Sequence, residues 1–172
     1  MKSYLVKSLL AGLALALAAC TTTPIIPALE TTFVVVRHAE KSSDDARDPS
    51  LSEAGHARAL ALAHLLADAP LRAAYATGYR RTQQTAQPAA QAHGLAVTTY
   101  DAHTEATAFA ARLRATHAGG TVLVVGHSNT VPDIVAALSA RAIDPIADDQ
   151  YDRLYRVRIA PDGTATLEQA RY

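Results

Sequence analysis

The chain has 172 residues, 49% of them hydrophobic, which is enough for one domain with a sizeable core. Sixteen basic residues balance sixteen acidic ones, so no bulk charge draws it to nucleic acid or to anionic lipid. Trp is absent and aromatics make up only 5%, which argues against a base-stacking surface.

Residues 1–19 read as a leader outside the fold. Lys2 and Lys7 form a basic start, and Leu9 to Ala19 is an eleven-residue apolar run. A mature membrane helix needs about 20 apolar residues, so this run is too short to be one. The only cysteine follows in Leu17-Ala18-Ala19-Cys20. That segment resembles the lipobox of bacterial lipoproteins, in which the cysteine is lipidated and becomes the new N-terminus. The resemblance implies a lipid anchor in the cell envelope. Thr21 after the cysteine favours the outer membrane, facing the periplasm, under the enterobacterial sorting pattern. With Cys20 so used, no disulfide is available to the domain. Residues 20–31, with Pro24 and Pro27, read as the lipidated cysteine and an extended tether. Loss of the leader leaves fourteen basic against sixteen acidic residues, a net charge of about −2.

The domain, residues 32–172, opens with Phe33-Val34-Val35-Val36-Arg37-His38. A short β-branched run of this kind reads as a buried parallel strand covered on both faces. Its C-terminal end, where α/β sheets place their ligands, carries Arg37 and His38. The polar stretch Lys41 to Ser50 reads as a surface loop. A helix capped by Ser50 or Ser52 follows, Ser50 having Glu53 in capping-box spacing, with Leu62, Leu65 and Leu66 inward. It runs to about Ala69, where Pro70 stops it. Tyr75 to Thr77 is a short strand. Tyr79 to Ala92 is a helix carrying Arg80, Arg81 and Thr85, kinked or broken at Pro88 and closed by Gly94.

Leu95 to Tyr100 is a third strand. Thr104 then caps a helix from Glu105 to His117 with the stripe Ala106, Phe109, Ala110 and Leu113. Gly119-Gly120 turns into a strand at 121–126 that ends, like the first, at a histidine, His127. Thr130 caps the next helix, with Asp133 in its first turn and Ile134, Val135 and Leu138 inward. Asp152 to Ala160 and Thr164 to Arg171 flank a Pro161-Asp162-Gly163 turn as a hairpin. Strands alternating with helices imply α/β: a three-layer α/β/α sandwich with a mainly parallel sheet and a C-terminal β-hairpin. His38 and His127 share one rim only if their strands are parallel neighbours.

Three segments together resemble the histidine phosphatase superfamily (phosphoglycerate-mutase-like), small single-domain branch. They are Arg37-His38-Ala39, Thr77 through Arg81 to Thr85-Ala86, and Gly126-His127-Ser128-Asn129-Thr130. The family's first motif has glycine where Ala39 stands, and its second has serine where Thr77 stands. The four-residue step to Thr85-Ala86 selects Arg81, not Arg80, as the second arginine. The resemblance implies that His38 is a nucleophile forming a phosphohistidine, with Arg37, Arg81 and His127 catalytic and binding phosphate, and Asn129 binding substrate. It also implies a proton donor after the third strand, where Glu105 stands, with Asp101 and His103 as weaker substitutes. No metal and no cofactor is implied.

The chemistry agrees with that implication. A phosphoryl group in transfer is stabilised by donors placed around its oxygens, and guanidiniums and imidazoles supply them. One His38 nitrogen must be unprotonated, which needs a partner for the other; the sequence does not name it, nor the charge of His127. Glu105 as first residue of a helix would favour its anion, against an acid role unless burial or bound phosphate raises its pKa. His56, His64, His93 and His117 read as surface or cap residues, and Arg80, Glu40 and Lys41 as solvated or paired near the rim.

The expected activity is hydrolysis of small phosphomonoesters without metal. Short connections at 41–50 and 101–104 favour water over retention of the phosphoryl group, hence a phosphatase over a mutase. A phosphate-binding envelope protein without turnover is the second reading. His38-Ala39-Glu40 alone hints at a zinc deaminase, but no cysteine follows Cys20. Substrate identity and oligomeric state are not encoded in any motif.

Overall fold

The computed structural model describes residues 29–172. The expected leader, Cys20 and most of the tether lie outside the described residues. Six strands alternate with four helices: β1 (Thr31–Arg37), α1 (Glu53–Leu65), β2 (Leu71–Thr77), α2 (Arg80–Ala92), β3 (Val97–Tyr100), α3 (Ala106–Thr116), β4 (Gly120–Gly126), α4 (Val131–Ser139), β5 (Arg153–Ile159) and β6 (Ala165–Arg171). They form one sheet in the order β3-β2-β4-β1-β5-β6. β1 pairs in parallel with β4, Arg37 opposite Gly126, so the two histidine-bearing strands are neighbours. β5 runs antiparallel to β1, and β6 closes the hairpin.

Alternation along the central strands divides the core. Phe33, Val35, Val122 and Val124 pack with residues of α3 and α4 on one face. Val34, Val36, Leu123 and Val125 pack with residues of α1 and α2 on the other. Each of these strand residues is at most 1% exposed, so each contributes about 1.5–3 kcal/mol of apolar burial. Two well-anchored central strands hold their C-terminal ends in fixed register, and that is what positions the site.

The elements differ from expectation in detail. Ser52, not Ser50, caps α1, accepting from Gly55 N at 3.1 Å, because the Ser50 hydroxyl is taken by Asp44. α1 ends at Leu65, which is 38% exposed and not inward, while Leu62 and Leu66 are buried. β2 begins four residues earlier than its aromatic and β-branched residues announce, because β4 pairs with Leu71 and Ala73. α2 runs unbroken through Pro88: proline's φ is helical, one N–H is lost, and Ala86, Ala89 and Ala90 hold the helix on the sheet. β3 starts at Val97.

Glu105, not Thr104, caps α3. Thr130 flanks α4 without a side-chain cap bond, its hydroxyl accepting instead from His127 N at 3.0 Å. Gly55 lets α1 approach the end of β1: a Cβ there would lie 2.2 Å from the Glu40 carbonyl oxygen. No helix among the described residues is long and apolar enough to cross a membrane.

Candidate active site

The β1–β4 ladder extends one residue past Arg37, with His38 N donating to the Gly126 carbonyl at 2.9 Å. This sets His38 beside His127, ring centroids 5.4 Å apart and tilted by 67°. Arg37 and His38 are each 4% exposed and His127 8%. His38 Nδ1 lies 2.8 Å from the carbonyl of Ala39, so Nδ1–H donates there and Nε2 keeps its lone pair. This carbonyl is the partner that the sequence left unnamed. Ala39 N donates in turn to Thr85 Oγ1 at 3.0 Å, and Thr85 donates to the Arg81 carbonyl at 2.7 Å. Thr85 thus ties Ala39, whose carbonyl fixes the His38 tautomer, to α2.

His127 is held from β2. Its Nε2 lies 2.9 Å from Thr77 Oγ1, which lies 2.8 Å from Thr82 Oγ1. The Thr82 hydroxyl has the Tyr79 carbonyl at 2.7 Å, so protons run from His127 Nε2 to Thr77, to Thr82, to that carbonyl. Burial, opposed by the bond to Ala39 and reinforced by His127, Arg37 and Arg81, lowers the His38 pKa to about 3. Burial, then Arg81 and Arg37, lowers that of His127 to about 4. Both imidazoles are therefore neutral at pH 7.

Two cations, Arg37 and Arg81, lie near enough to act on both imidazoles. Arg37 Nη1 donates to the carbonyls of Ala147, Asp148 and Gln150 at 2.8, 3.1 and 3.1 Å, and its guanidinium stacks 4.3 Å from the Tyr151 ring. Arg81 stacks at 4.3 Å on Tyr79, whose ring stands perpendicular to His127 at 5.3 Å. Arg37 Nε, Arg81 Nε and Arg81 Nη1 are buried donors without a hydrogen bond. Buried donors are nearly always paired, so three orphans beside a free imidazole nitrogen mark a place for ligand oxygens.

The structure thus gathers Arg37, His38, Arg81 and His127, and leaves Asn129 and Glu105 outside that cluster. Asn129 and Glu105 are exposed and line a neighbouring cavity of about 620 Å³ between the starts of α3 and α4. The Glu105 carboxylate accepts from Ala108 N at 2.9 Å and from the Thr107 hydroxyl, which hold its pKa below the usual range. Asp101 accepts from His103 N at 2.9 Å, both exposed. Arg80 pairs with Asp44 at 3.3 Å, and Glu40 pairs bidentately with Arg58. His56 and His64 are exposed, while His93 reaches the Leu66 carbonyl and His117 reaches Tyr75 Oη, each at 2.9 Å.

Sequence reasoning passed over Tyr79, Tyr151, Asp48 and the carbonyls of the 147–150 loop. Tyr79 sits inside the second motif and could have been singled out there; the loop carries no periodic signal. Among the described residues no three His, Cys, Asp or Glu side chains converge as a metal site.

The family model described as histidine phosphatase superfamily (branch 1) matches residues 33–107. No curated protein matches the chain. Among solved structures the chain is similar to the protein histidine phosphatase SixA complexed with tungstate: TM-score 0.65, 18% identity, covering 81% of this chain and 96% of that one. It is similar too to mycobacterial glucosyl-3-phosphoglycerate phosphatase, with TM-score 0.57, 17% identity and coverage of 83% and 98%. The phosphoserine phosphatase of Entamoeba histolytica in complex with 3-phosphoglyceric acid gives TM-score 0.60 at 13% identity, covering 83% and 97%. These identities speak for a shared fold. The segment matched by the histidine phosphatase superfamily (branch 1) model holds both guanidiniums and the first imidazole, and β4 brings the second beside them.

Proposed function

We propose that the protein is a metal-independent phosphatase that hydrolyses small phosphomonoesters through a phosphohistidine on His38. The observation that carries this reading is the His38 Nε2 lone pair, with Arg37 and Arg81 near enough to act on that ring and three of their buried nitrogens without a hydrogen bond. Those donors take the phosphoryl oxygens, and Nε2 attacks phosphorus as the bond to the leaving oxygen breaks. The leaving oxygen takes a proton from Glu105. Water then attacks phosphorus, the P–N bond breaks, and the water's proton returns to Glu105. In the empty site Glu105 is held ionised, as suits the second step; a bound phosphate dianion raises its pKa for the first. Arrival of the dianion raises the His127 pKa in the same way, so that an imidazolium can replace the neutral ring as phosphate binds.

The capped, ionised Glu105 is also the observation that favours the second reading, a phosphate-binding protein without turnover. A screen of phosphorylated compounds with the domain from about residue 31, in chelator, separates the two. Turnover that falls at least about 10³-fold in His38→Ala, together with an acid-labile phosphoryl label on wild type, supports the phosphatase. Tight phosphate binding with neither overturns it. We further propose that Cys20 anchors the enzyme by lipid in the bacterial envelope. Labelled fatty acid should enter the wild-type chain and not Cys20→Ala; equal labelling would remove the anchor.

A further inference from the structure

The hydrogen bond that holds the His127 ring runs from Nε2 to Thr77 Oγ1 at the end of β2, and Thr77 in turn meets Thr82 Oγ1 in the first turn of α2. The Thr82 hydroxyl has two further neighbours, the carbonyls of Thr77 at 3.0 Å and of Tyr79 at 2.7 Å, and both can only accept. Its single proton therefore goes to a carbonyl, and the Thr77 proton goes to Thr82. Thr77 is left to accept from His127 Nε2–H, and the lone pair of the neutral ring falls on Nδ1. Both threonines are fully buried, so neither hydroxyl is open to bulk water.

We propose that Thr77, backed by Thr82, is a positioning residue that keeps the His127 proton on Nε2, so that an arriving phosphate dianion draws one proton from solvent onto Nδ1. The inference rests on the phosphate site read above and adds two residues and a proton to it. The imidazolium so formed keeps Nε2–H on Thr77 and donates Nδ1–H to a phosphoryl oxygen; the proton returns to solvent when phosphate leaves. The ionisable groups around the ring are Arg37 and His38 at the end of β1, Tyr79 and Arg81 at the start of α2, and Tyr100 of β3, bonded to the Val125 carbonyl. Asp133 stands exposed in the first turn of α4. Burial, then Arg81 and Arg37, keeps the empty ring neutral, with its pKa at about 4. A bound dianion reverses that balance. Without the threonine acceptor an imidazolium would bury an unpaired N–H, so the hydroxyl is what permits the ring to charge.

The probe is sulfate, a dianion with no proton to gain near neutrality, bound at about pH 6, where the empty ring is neutral. Titration calorimetry in buffers of different ionisation enthalpy should show uptake of about 0.5 to 1 proton per sulfate. Nitrogen NMR of the His127 ring should show the proton on Nε2 before sulfate and protons on both nitrogens after it. Thr77→Val should move the proton of the empty ring to Nδ1, cut the uptake by at least about half and weaken sulfate about 10-fold, the worth of one charge-assisted hydrogen bond. Thr77→Ser keeps the hydroxyl and should match wild type in tautomer and uptake. A proton on Nδ1 of the empty wild-type ring, sulfate bound without proton uptake, or no sulfate binding overturns the proposal. So does a Thr77→Val protein that loses affinity with tautomer and uptake unchanged, since packing alone would explain it. If that variant does not fold, the wild-type NMR and uptake decide. Sulfate is never turned over, so a failed phosphoester screen overturns the phosphatase without touching these measurements.

Discussion

Arg37 at the end of β1 and Arg81 in the first turn of α2 bring the same group to the same pair of imidazoles, yet they are held differently. Arg37 spends one nitrogen on three backbone carbonyls of the 147–150 loop and lies against Tyr151. Arg81 lies against Tyr79 with Nε and Nη1 free of hydrogen bonds and only a long ion pair, 3.7 Å, from Nη1 to Asp48. Arg37 clamps the loop between α4 and β5, while Arg81 Nε and Nη1 have no hydrogen-bond acceptor; in the reaction we propose, both guanidiniums donate to the phosphoryl oxygens. Removing either should lower kcat/KM by about 10²- to 10³-fold, since each is aimed at charge in the reacting phosphoryl group.

Their stability effects should diverge. Arg37→Ala removes three hydrogen bonds that hold the loop, at a cost of about 3 kcal/mol, whereas Arg81→Ala removes two donors without a hydrogen bond and should stay within about 0.5 kcal/mol of wild type. Thermal unfolding of the two variants checks this. Equal losses would erase the distinction.

The two imidazoles sharpen the same contrast. Apart from burial and its neighbour His127, His38 feels Arg37 before Arg81, whereas His127 feels Arg81 before Arg37. Both folded pKa values lie below the unfolded value near 6.5, so between about pH 6.5 and pH 4 the unfolded chain binds more protons than the folded one. Stability must then rise with pH across that window and be lost as pH falls, by about 1.4 kcal/mol per pH unit for each proton. Denaturant unfolding at several pH values should show that slope, and His127→Gln should roughly halve it. Inorganic phosphate should flatten it, because a bound dianion raises the folded pKa values. A stability curve flat from pH 4 to 6.5 would mean that the rings are charged in the folded protein.

Much of this site was legible before any coordinates. Two apolar runs, each ending at a histidine, share a rim only as parallel neighbours, which β1 and β4 are, and resemblance to the family's second motif picked Arg81 over Arg80. Side chains in such short motifs are positioned by local backbone, which sequence spacing records. What could not be read depends on long-range contacts. The carbonyls that seize Arg37 lie about 110 residues downstream, in a loop without periodicity. Thr130 looked like a helix cap because its residue type and place fit one, but the nearby His127 N–H competes for its hydroxyl. Leu65 looked inward because helical spacing allowed it; α1 ends there, and Leu66 takes the buried position instead. Glu105 stands where an acid was expected, yet its carboxylate is occupied by the helix it starts.

Asp48 offers the finest distinction between the two guanidiniums. Its carboxylate accepts from Arg80 N at 2.9 Å, at the start of α2, and faces Arg81 Nη1 at 3.7 Å with its side chain 35% exposed. An arriving phosphate must share Arg81 with this charge. Asp48→Asn keeps an oxygen for the Arg80 N–H and removes the competitor, so phosphate should bind about 2- to 5-fold tighter and inhibit turnover more strongly. The gain should shrink in high salt. Asp148 provides the matched control: it lies 3.9 Å from Arg37 Nη2 but is wholly exposed, and Arg37 is already fixed by carbonyls. Asp148→Asn should leave phosphate affinity within about 1.5-fold of wild type, because a solvated rim charge beside an immobilised guanidinium has little to release. Equal effects at Asp48 and Asp148 would show that both arginines answer to overall charge alone.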